Sequence, residues 1–555
     1  MITLNKFEHL IMANIAQKPQ EVESLGNQGQ HLNEWVATLS GLNKHEQYAK
    51  LKVPLSELLV ATLTDKLRLT MMDSLLPVIY RTIEQLHADY IYEHQSLSAK
   101  QQSINEVRSL YFLMILVYKN IASRAYIELH NHSGNAENWL SKLIKTSGDI
   151  KELLTVAVYR MMALYVGLLR EYALTYERVP RVIWQQLNFW YLRSVHEGIA
   201  KTNAGKLTKT ALFDSVHAQY KQACIASFAN FFAYRRQDIV NIFKVLPAWT
   251  QKIDTTFEPR PELRIFVNLS GNHPPEVITP YATVNPYSEE YQCLFFDVAQ
   301  LIDYLKAVRL GEYVTADAQS MFEVRLAKMV LLAFYRRARQ DRIDKIGQQK
   351  AELLTGFYSV FHEISAGKQL SEIINQRALP TDYHAKALQA FVGTPMPKEP
   401  VKITSRNEWL ARFDYQRTRK KDDNTEQPFL QVFGLFALKS VGSTHKRPWR
   451  LGIAHWVDCV DEQVEVDGRF IGRILLAVGV RLRMGTGRSQ NFVHALLIEG
   501  DELSQQSTLV TPCYHFKVGD VVVLRIGGKE MELRLEQCLL STDEIEQYQI
   551  VRLNG

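Results

Sequence analysis

The hydrophobic residues of this chain change their spacing along the sequence, and this change constrains the fold more than any other feature. Between residues 30 and 250, apolar side chains recur at three- and four-residue steps, as Leu76, Ile79 and Ile83 do. That spacing predicts amphipathic helices. From Phe429 onward, short apolar runs recur about every ten residues, which is typical of a sheet made of short strands.

The length of 555 residues exceeds what one hydrophobic core ordinarily serves, so we expect several domains. The fold class that we predict is α+β multidomain, with a helical-bundle N-terminal half, a mixed α/β middle and a C-terminal small β-barrel that is PilZ-like. The predicted boundaries are a helical domain at 1–255, a mixed α/β domain at 256–395, a basic linker at 396–428 and the barrel at 429–555.

Eight short strand-like runs after Phe429 favour a closed barrel, because closure removes exposed strand edges. The clearest hairpin joins Val521–Ile526 to a return strand that ends at Leu535, through Gly527 and Gly528. Two glycines supply the positive φ angles that a tight hairpin turn needs.

The cysteine pattern and the apolar runs indicate a cytoplasmic protein. The five cysteines are an odd number, widely spaced and without a C-x-x-C pair, so neither a disulfide framework nor a zinc knuckle is expected. The longest uninterrupted apolar runs have nine residues, about half of what crosses a bilayer. We therefore predict no membrane span.

The net charge of +6 has a local origin. Residues 401–450 hold 11 basic and 5 acidic residues, so an arginine-bearing segment precedes the predicted barrel. Arginine forks bind phosphates and aromatic rings stack on bases. The candidate phosphate clamps are Arg412, Arg417, Arg419 and Lys420, with Tyr415 as a stacking surface. The alternative is a solvated linker that binds nothing.

A second basic cluster ends a predicted helix that begins at Met321. Its members are Arg336, Arg337, Arg339 and Arg342. We treat them as a secondary anion-site candidate, against the alternative that they only offset the negative end of the helix dipole.

The search for catalytic motifs is negative. The chain contains no G-x-x-x-x-G-K-[ST], no G-x-G-x-x-G and no G-x-S-x-G, the motifs of common nucleotide-binding and hydrolase sites. No set of residues has the spacing of a metal site. We expect a protein that is not an enzyme and that carries no cofactor.

A small barrel preceded by an arginine-bearing segment resembles the PilZ domains, receptors for the bacterial second messenger cyclic di-GMP. The whole chain is similar to a proteobacterial family with a helical N-terminal region and a PilZ-like C-terminus, in stretches such as LRLTMMDSLLPVIY (67–80) and FKVGDVVVLR (516–525). The resemblance implies phosphate binding by an R-x-x-x-R motif before the barrel, completed by [DN]-x-S-x-x-G. The first motif occurs at Arg260–Arg264 and Arg469–Arg473, neither directly before Phe429, and the second is absent.

Three function classes follow. The leading hypothesis is a non-enzymatic cytoplasmic regulator or adaptor, with a protein partner and with cyclic di-GMP as its ligand. The alternative is a nucleic-acid-binding protein that uses the barrel and the basic segment 401–450. A third class is an enzyme whose site the sequence does not reveal.

Overall fold

The structure is a computed structural model, and it describes residues 2–12, 32–91, 100–131, 140–208, 214–229, 231–278, 283–310, 327, 345–375, 398–406, 410–416, 430, 432–441, 448–460, 463–483, 491–500, 506–513, 515–542 and 544–553. They form two compact units. The helical unit is drawn from residues up to Ala338, and the barrel unit from Arg339 onward together with residues 232–235.

The described residues contain thirteen α-helices, of which α1 to α11 belong to the helical unit. They are α1 (Leu4–Met12), α2 (Leu32–Thr38), α3 (Lys44–Val60), α4 (Asp65–His87), α5 (Gln101–Asn131), α6 (Leu140–Leu174), α7 (Arg181–His196), α8 (Ala204–Leu207), α9 (Val216–Phe228), α10 (Arg236–Thr250), α11 (Ala299–Leu310), α12 (Phe357–Ile364) and α13 (Leu370–Ile373). The predicted helical N-terminal half is confirmed.

The two longest helices, α5 and α6, form the centre of the helical unit, and they pack extensively on each other. Their side chains are buried on nearly all sides between Val107 and Tyr118 and between Leu154 and Leu174, as expected for helices in the middle of a bundle. Within the described residues, Gly148–Leu174 is long and apolar enough to cross a membrane, but 67% of its most apolar window is buried inside the unit. Such burial is what a core helix shows.

A small antiparallel sheet completes the helical unit. Its strands are β1 (Asp254–Thr256), β2 (Ile265–Asn268), β3 (Glu276–Val277) and β4 (Cys293–Asp297), in the order β1-β4-β2-β3. The buried Asn188 of α7 holds the turn after β2, because its Nδ2 donates to the carbonyls of Gly271 and His273 at 3.1 and 3.2 Å. The sheet and α11 together give the middle of the chain the mixed α/β character that the sequence predicts.

The barrel unit contains two closed six-stranded antiparallel barrels. The first has the order β10-β7-β6-β5-β8-β9 and the second the order β11-β12-β13-β16-β15-β14. The strands are β5 (Lys345–Thr355), β6 (Glu399–Arg406), β7 (Leu410–Gln416), β8 (Leu435–Ser440), β9 (Arg450–Val460), β10 (Gln463–Gly472), β11 (Leu475–Leu482), β12 (Val493–Ile498), β13 (Thr508–Pro512), β14 (Val521–Ile526), β15 (Lys529–Ser541) and β16 (Ile545–Arg552).

The predicted hairpin is present as β14 and β15. Ile526 pairs with Lys529, and Gly527 and Gly528 between them have φ angles of +53° and +81°. A two-residue turn of this kind requires positive φ at both positions, which only glycine adopts without strain.

The barrel region differs from the prediction in two respects. The predicted linker at 396–428 contains β6 and β7, and the predicted single barrel at 429–555 is the end of one barrel followed by a complete second one. The reason for the difference is that buried and charged side chains alternate along β7. Ala411, Phe413 and Tyr415 are buried, while Arg412 and Asp414 lie on the opposite face of β7. The charged outer face of β7 gives this segment the composition of a linker.

The two barrels share one apolar cluster, into which the short helices α12 and α13 also pack. Its buried members are Leu354, Phe357, Val360, Phe361, Leu370, Ile373, Ile374, Leu435, Ala437, Trp449, Leu451, Ile453, Ala477, Leu496, Ile498, Val510 and Ile545. They come from both barrels, so the outer faces of the barrels are fused into a single core.

Glu544 forms hydrogen bonds across this fused core, and we call these bonds the Glu544 tie. Its carboxylate, next to β16 of the second barrel, accepts the backbone N–H of Phe357 at the start of α12 and that of Leu435 in β8. Burial raises the pKa of the Glu544 carboxyl, whereas the two N–H donors act in the opposite direction. One side chain thus connects the second barrel, a helix end and the first barrel.

Replacement of Glu544 tests this tie. We expect Glu544→Ala to lower the free energy of unfolding of the barrel unit by about 1–2 kcal/mol, because a helix-capping acceptor is lost and two backbone donors lose their partner. Glu544→Gln keeps one oxygen acceptor and should cost less. Urea unfolding of the full chain measures both, and equal stability of Glu544→Ala and the unchanged protein would contradict the assignment.

His494 is a buried histidine in the same region. It lies on β12, and its ring meets those of Phe361 and Tyr358 edge-on, with centroids 4.7 and 5.8 Å away. Its Nδ1 has no hydrogen-bond partner among the described residues. Burial lowers the pKa of His494 to about 4, so the folded chain holds this imidazole neutral.

This shift predicts a pH dependence of stability. Between pH 6.5 and 4 the unfolded chain protonates His494 and the folded chain does not, so the free energy of unfolding falls as the pH decreases through this window. The loss amounts to about 3 kcal/mol, at roughly 1.4 kcal/mol per unit of pKa. We expect His494→Phe to flatten the slope of stability against pH in urea unfolding. An unchanged slope would show that His494 is not the responsible group.

Candidate functional site

Three arginines line one mouth of the first barrel. The cavity there has a volume of about 170 Å³. Its lining residues are Ile403, Arg406, Leu438, Ser440, Pro448, Arg450, Phe470 and Arg473. Among the described residues, the lining combines three arginines with the apolar side chains of Ile403, Leu438, Pro448 and Phe470. Such walls strengthen the attraction of an anion, because they exclude water.

A β-bulge directs Arg406 into the mouth. Ile403 of β6 pairs with Phe413 of β7, but the register then shifts, and Arg406 pairs with Ala411. Ala411 and Phe413 are both fully buried on the inner face of β7, so the extra residue brings Arg406 to that face. The Nη1 of Arg406 donates to Ser440 Oγ at 3.1 Å, which fixes the guanidinium beside the cavity.

The other two arginines arrive from different segments. Arg450 pairs with Leu438 at the start of β9, and its guanidinium carbon lies 4.8 Å from the ring centroid of Phe470. That cation–π contact holds the charge over the ring. Arg473 belongs to the two-residue connection between β10 and β11. The barrel therefore places donors from three segments around one small space.

Phe436 packs inside the first barrel, next to the mouth residue Phe470. Its ring lies against Gly452 and Gly468, where an added Cβ would stand 2.4 Å from ring carbons. The rings of Phe413 and Phe470 pack beside the ring of Phe436, and their centroids lie 5.2 and 6.2 Å from its centroid. These aromatic rings fill the barrel interior beside the mouth.

Two residues of the predicted phosphate clamp can be located, and neither lines the cavity. Arg412 is buried on the outer face of β7, where its Nε and Nη2 donate to the Asp467 carboxylate at 2.7 and 3.2 Å. Tyr415 is buried on the inner face. Arg417, Arg419 and Lys420 lie outside the described residues, as do Arg336, Arg337, Arg339 and Arg342. Anion binding by these seven stays a prediction.

Sequence reasoning missed the arginine mouth although it located one of its motifs. In the predicted single barrel, which starts at Phe429, the R-x-x-x-R motif Arg469–Arg473 lies far inside the domain. The second barrel in fact begins at Leu475, so the motif ends two residues before it. Arg473 lines the cavity, whereas the Arg469 side chain is exposed. Recognition of β6 and β7 as strands would have revealed this position.

Metal chemistry receives no support from the part of the chain that the structure describes. It contains no group of three or more histidine, cysteine, aspartate or glutamate residues able to hold a metal ion.

The fold combines a helical unit with two fused barrels, and the first barrel has a mouth lined by three arginines. These are the features of a binding protein. Comparisons with known protein families support this class. Residues 30–260 match the family model of the N-terminal domain of the cyclic-di-GMP receptor FimW, and residues 478–553 match that of the FimW C-terminal β-barrel domain. No curated protein and no solved structure matches the chain.

The two matched segments cover more than half of the chain, and the chain belongs to the FimW family. The predicted resemblance to a family with a helical N-terminal region and a C-terminal barrel is confirmed. The family is one of receptors, a non-enzymatic role, and it implies a bound ligand and not a cofactor.

Gly452 and Gly468, which lie against the ring of Phe436, lead to a prediction about packing inside the first barrel. Gly468→Ala should lower the free energy of unfolding by about 1–3 kcal/mol, because the new methyl group overpacks the barrel. In the double variant with Phe436→Leu, which removes ring atoms, the two losses should be less than additive. Urea unfolding of the single and double variants measures the coupling. Strict additivity would show that the glycine does not accommodate this ring.

Proposed function

We propose that the chain is a cyclic di-GMP effector whose arginine mouth binds one phosphate of the ligand. The observation that carries the proposal is the meeting of Arg406, Arg450 and Arg473 at one cavity, from three separate segments of the first barrel. The family to which the chain belongs is described as a cyclic-di-GMP receptor family. Its description contains nothing that favours the nucleic-acid alternative.

The chemistry of the mouth suits a phosphate. Each guanidinium presents several N–H donors in a planar fork, and hydrogen bonds between two ionised groups are about twice as strong as neutral ones. Ser440 and Phe470 restrain two of the three forks before any ligand arrives. Such restraint reduces the entropy lost on binding.

The position of Arg473 supports the same assignment. In the PilZ domains that this chain resembles, an R-x-x-x-R motif before the barrel contacts the phosphates. Here Arg473, the second arginine of such a motif, directly precedes β11 and the segment that matches the FimW barrel model, whereas Arg469, the first, is exposed and does not line the cavity. The [DN]-x-S-x-x-G motif is absent, so recognition of the base falls to other residues.

A protein partner and a cytoplasmic location complete the proposed role. Since the effector carries out no reaction, its ligand state has to be transmitted to another protein. An affinity pull-down from the native host, with and without cyclic di-GMP, would identify a partner whose recovery depends on the ligand. Recovery of the same proteins in equal amounts under both conditions would contradict a ligand-controlled adaptor.

Calorimetric titration of the full chain with cyclic di-GMP tests the site. We expect Arg450→Ala and Arg473→Ala each to weaken binding about 10- to 100-fold, because each removes a charge-assisted contact with the phosphate, at about 1.5–3 kcal/mol per contact. Arg469→Ala is the matched control: it removes an exposed arginine of the same motif and should leave affinity within about twofold.

The double variant Arg417→Ala plus Arg419→Ala examines the clamp predicted from the sequence. Loss of binding in that variant, with full binding in Arg450→Ala and Arg473→Ala, would move the site away from the mouth. Urea unfolding of each variant separates a lost contact from a lost fold.

A further inference from the structure

We infer that a groove between α4 and α6 of the helical unit binds an acidic helical segment of a partner protein, and that one carboxylate of this segment accepts hydrogen bonds from Tyr118 and Arg160. The inference rests on the proposed function in one respect, that the chain acts through a protein partner. It concerns the helical unit only and uses no property of the arginine mouth.

The groove runs along α5. Both α4 and α6 pack on α5, and each presents partly exposed side chains beside it. Asp73 and Tyr80 of α4 are exposed, and Arg160 and Gly167 of α6 are half-buried. The Nη2 of Arg160 donates to Asp73 Oδ1 at 3.3 Å, so a contact between long side chains bridges α4 and α6 at this level.

Two tyrosines of α5 direct their hydroxyls toward the groove. At Gly167 an added Cβ would stand 2.6 Å from the Tyr111 ring, so the glycine lets this ring lie against α6. The Nη2 of Arg170 donates to the Tyr111 hydroxyl at 3.3 Å. Tyr118 follows Tyr111 by seven positions, and Arg160 precedes Gly167 by seven. Seven residues are about two helical turns, so the same antiparallel packing brings Tyr118 beside Arg160.

Two hydrogen-bond donors at this level have no acceptor. Tyr118 is fully buried, yet its hydroxyl has no hydrogen-bond partner among the described residues, and the Nε of Arg160 is likewise buried without one. Burial raises the pKa of Tyr118, and Arg160 and Asp73 are charged groups that act on its hydroxyl, so this O–H lies between α4 and α6. Buried polar groups are almost always paired. Two unpaired donors side by side indicate an acceptor that comes from outside the chain.

A carboxylate is the acceptor that fits this pair of donors. Its two oxygens can accept from the Tyr118 hydroxyl and from Arg160 Nε together. The Nη2 of Arg160 is a different donor, so its contact with Asp73 is kept. Hydrogen bonds to an ionised acceptor are about twice as strong as neutral ones. A phosphate monoester would bring a second negative charge close to Asp73, which disfavours it relative to a carboxylate.

The shape of the groove suits a helix as the carrier of this carboxylate. Two helices that flank a third leave a channel along their axes, and the docking of a helix into such a groove is a recurring mode of peptide recognition. Ala163 and Gly167 lie four positions apart on the half-buried side of α6, and their small size lets another backbone approach closely. Pro77 and Tyr80, both exposed, supply apolar surface on the wall formed by α4.

The first test measures stability. Tyr118→Phe should unfold at the same or a higher urea concentration than the unchanged protein, because it removes a buried hydroxyl that makes no hydrogen bond. Tyr165→Phe is the matched control. The Tyr165 hydroxyl is also buried without a partner among the described residues, but burial alone raises its pKa, so it lies away from the charged groove. A lower unfolding midpoint of Tyr118→Phe would show that this hydroxyl serves the fold, and it would overturn the inference.

The second test selects a display library of random peptides of about 16 residues, roughly four helical turns, on the immobilised full chain. We expect the selected peptides to share one acidic position, and replacement of that residue by its amide should weaken binding at least tenfold. Tyr118→Phe and Arg160→Met should each bind these peptides about tenfold more weakly, because each loses a charge-assisted hydrogen bond. Tyr165→Phe should bind them with unchanged affinity. Fluorescence anisotropy measures all four proteins.

The outcomes are separable from those of the proposed function. If no peptide is selected, if the selected peptides share no acidic position, or if they bind Tyr118→Phe as well as the unchanged protein, the inference is wrong and water alone satisfies the two donors. The ligand role is judged by calorimetry with cyclic di-GMP, in which Tyr118→Phe should match the unchanged protein. If cyclic di-GMP does not bind but acidic peptides bind through Tyr118 and Arg160, the inference stands and the ligand role fails.

Discussion

The apolar cluster between the two barrels is the constraint on which the rest of the barrel unit depends. Leu435, Ala437 and Leu451 belong to the outer face of the first barrel, and Leu496 and Val510 to that of the second. Since one cluster serves both, neither barrel can turn against the other without exposing it to water. The connection between β10 and β11 has only two residues, so this packing also determines where Arg473 lies.

Glu544 adds direction to an otherwise non-directional contact. Apolar packing alone tolerates small slides of one surface over another, but hydrogen bonds require a defined geometry. Because the carboxylate meets the N–H groups of Phe357 and Leu435 together, it specifies one register between the barrels. Leu435 lies in β8, the strand that also carries Leu438 and Ser440 of the mouth. The tie and the mouth therefore share a strand.

The sequence allowed the architecture to be predicted further than the site. The helical half followed from its apolar spacing, and the β14–β15 hairpin from Gly527 and Gly528, because each depends on neighbours within a few residues. The first barrel was missed because Arg412 and Asp414 obscured the alternation of β7. The mouth depends on long-range pairing: Arg406 and Arg450 are 44 positions apart in the sequence. No local pattern brings them together.

The bulge in β6 shows why even a correct strand assignment would have been insufficient. In a regular strand, Ile403 and Ser405 would share the inner face, and Arg406 would point outward. The register shift after Ile403 reverses this, and Arg406 joins the face of Ala411 and Phe413. A single extra residue thus decides whether its charge meets solvent or the cavity. Binding in this barrel depends on a local departure from regular structure, and composition cannot reveal it.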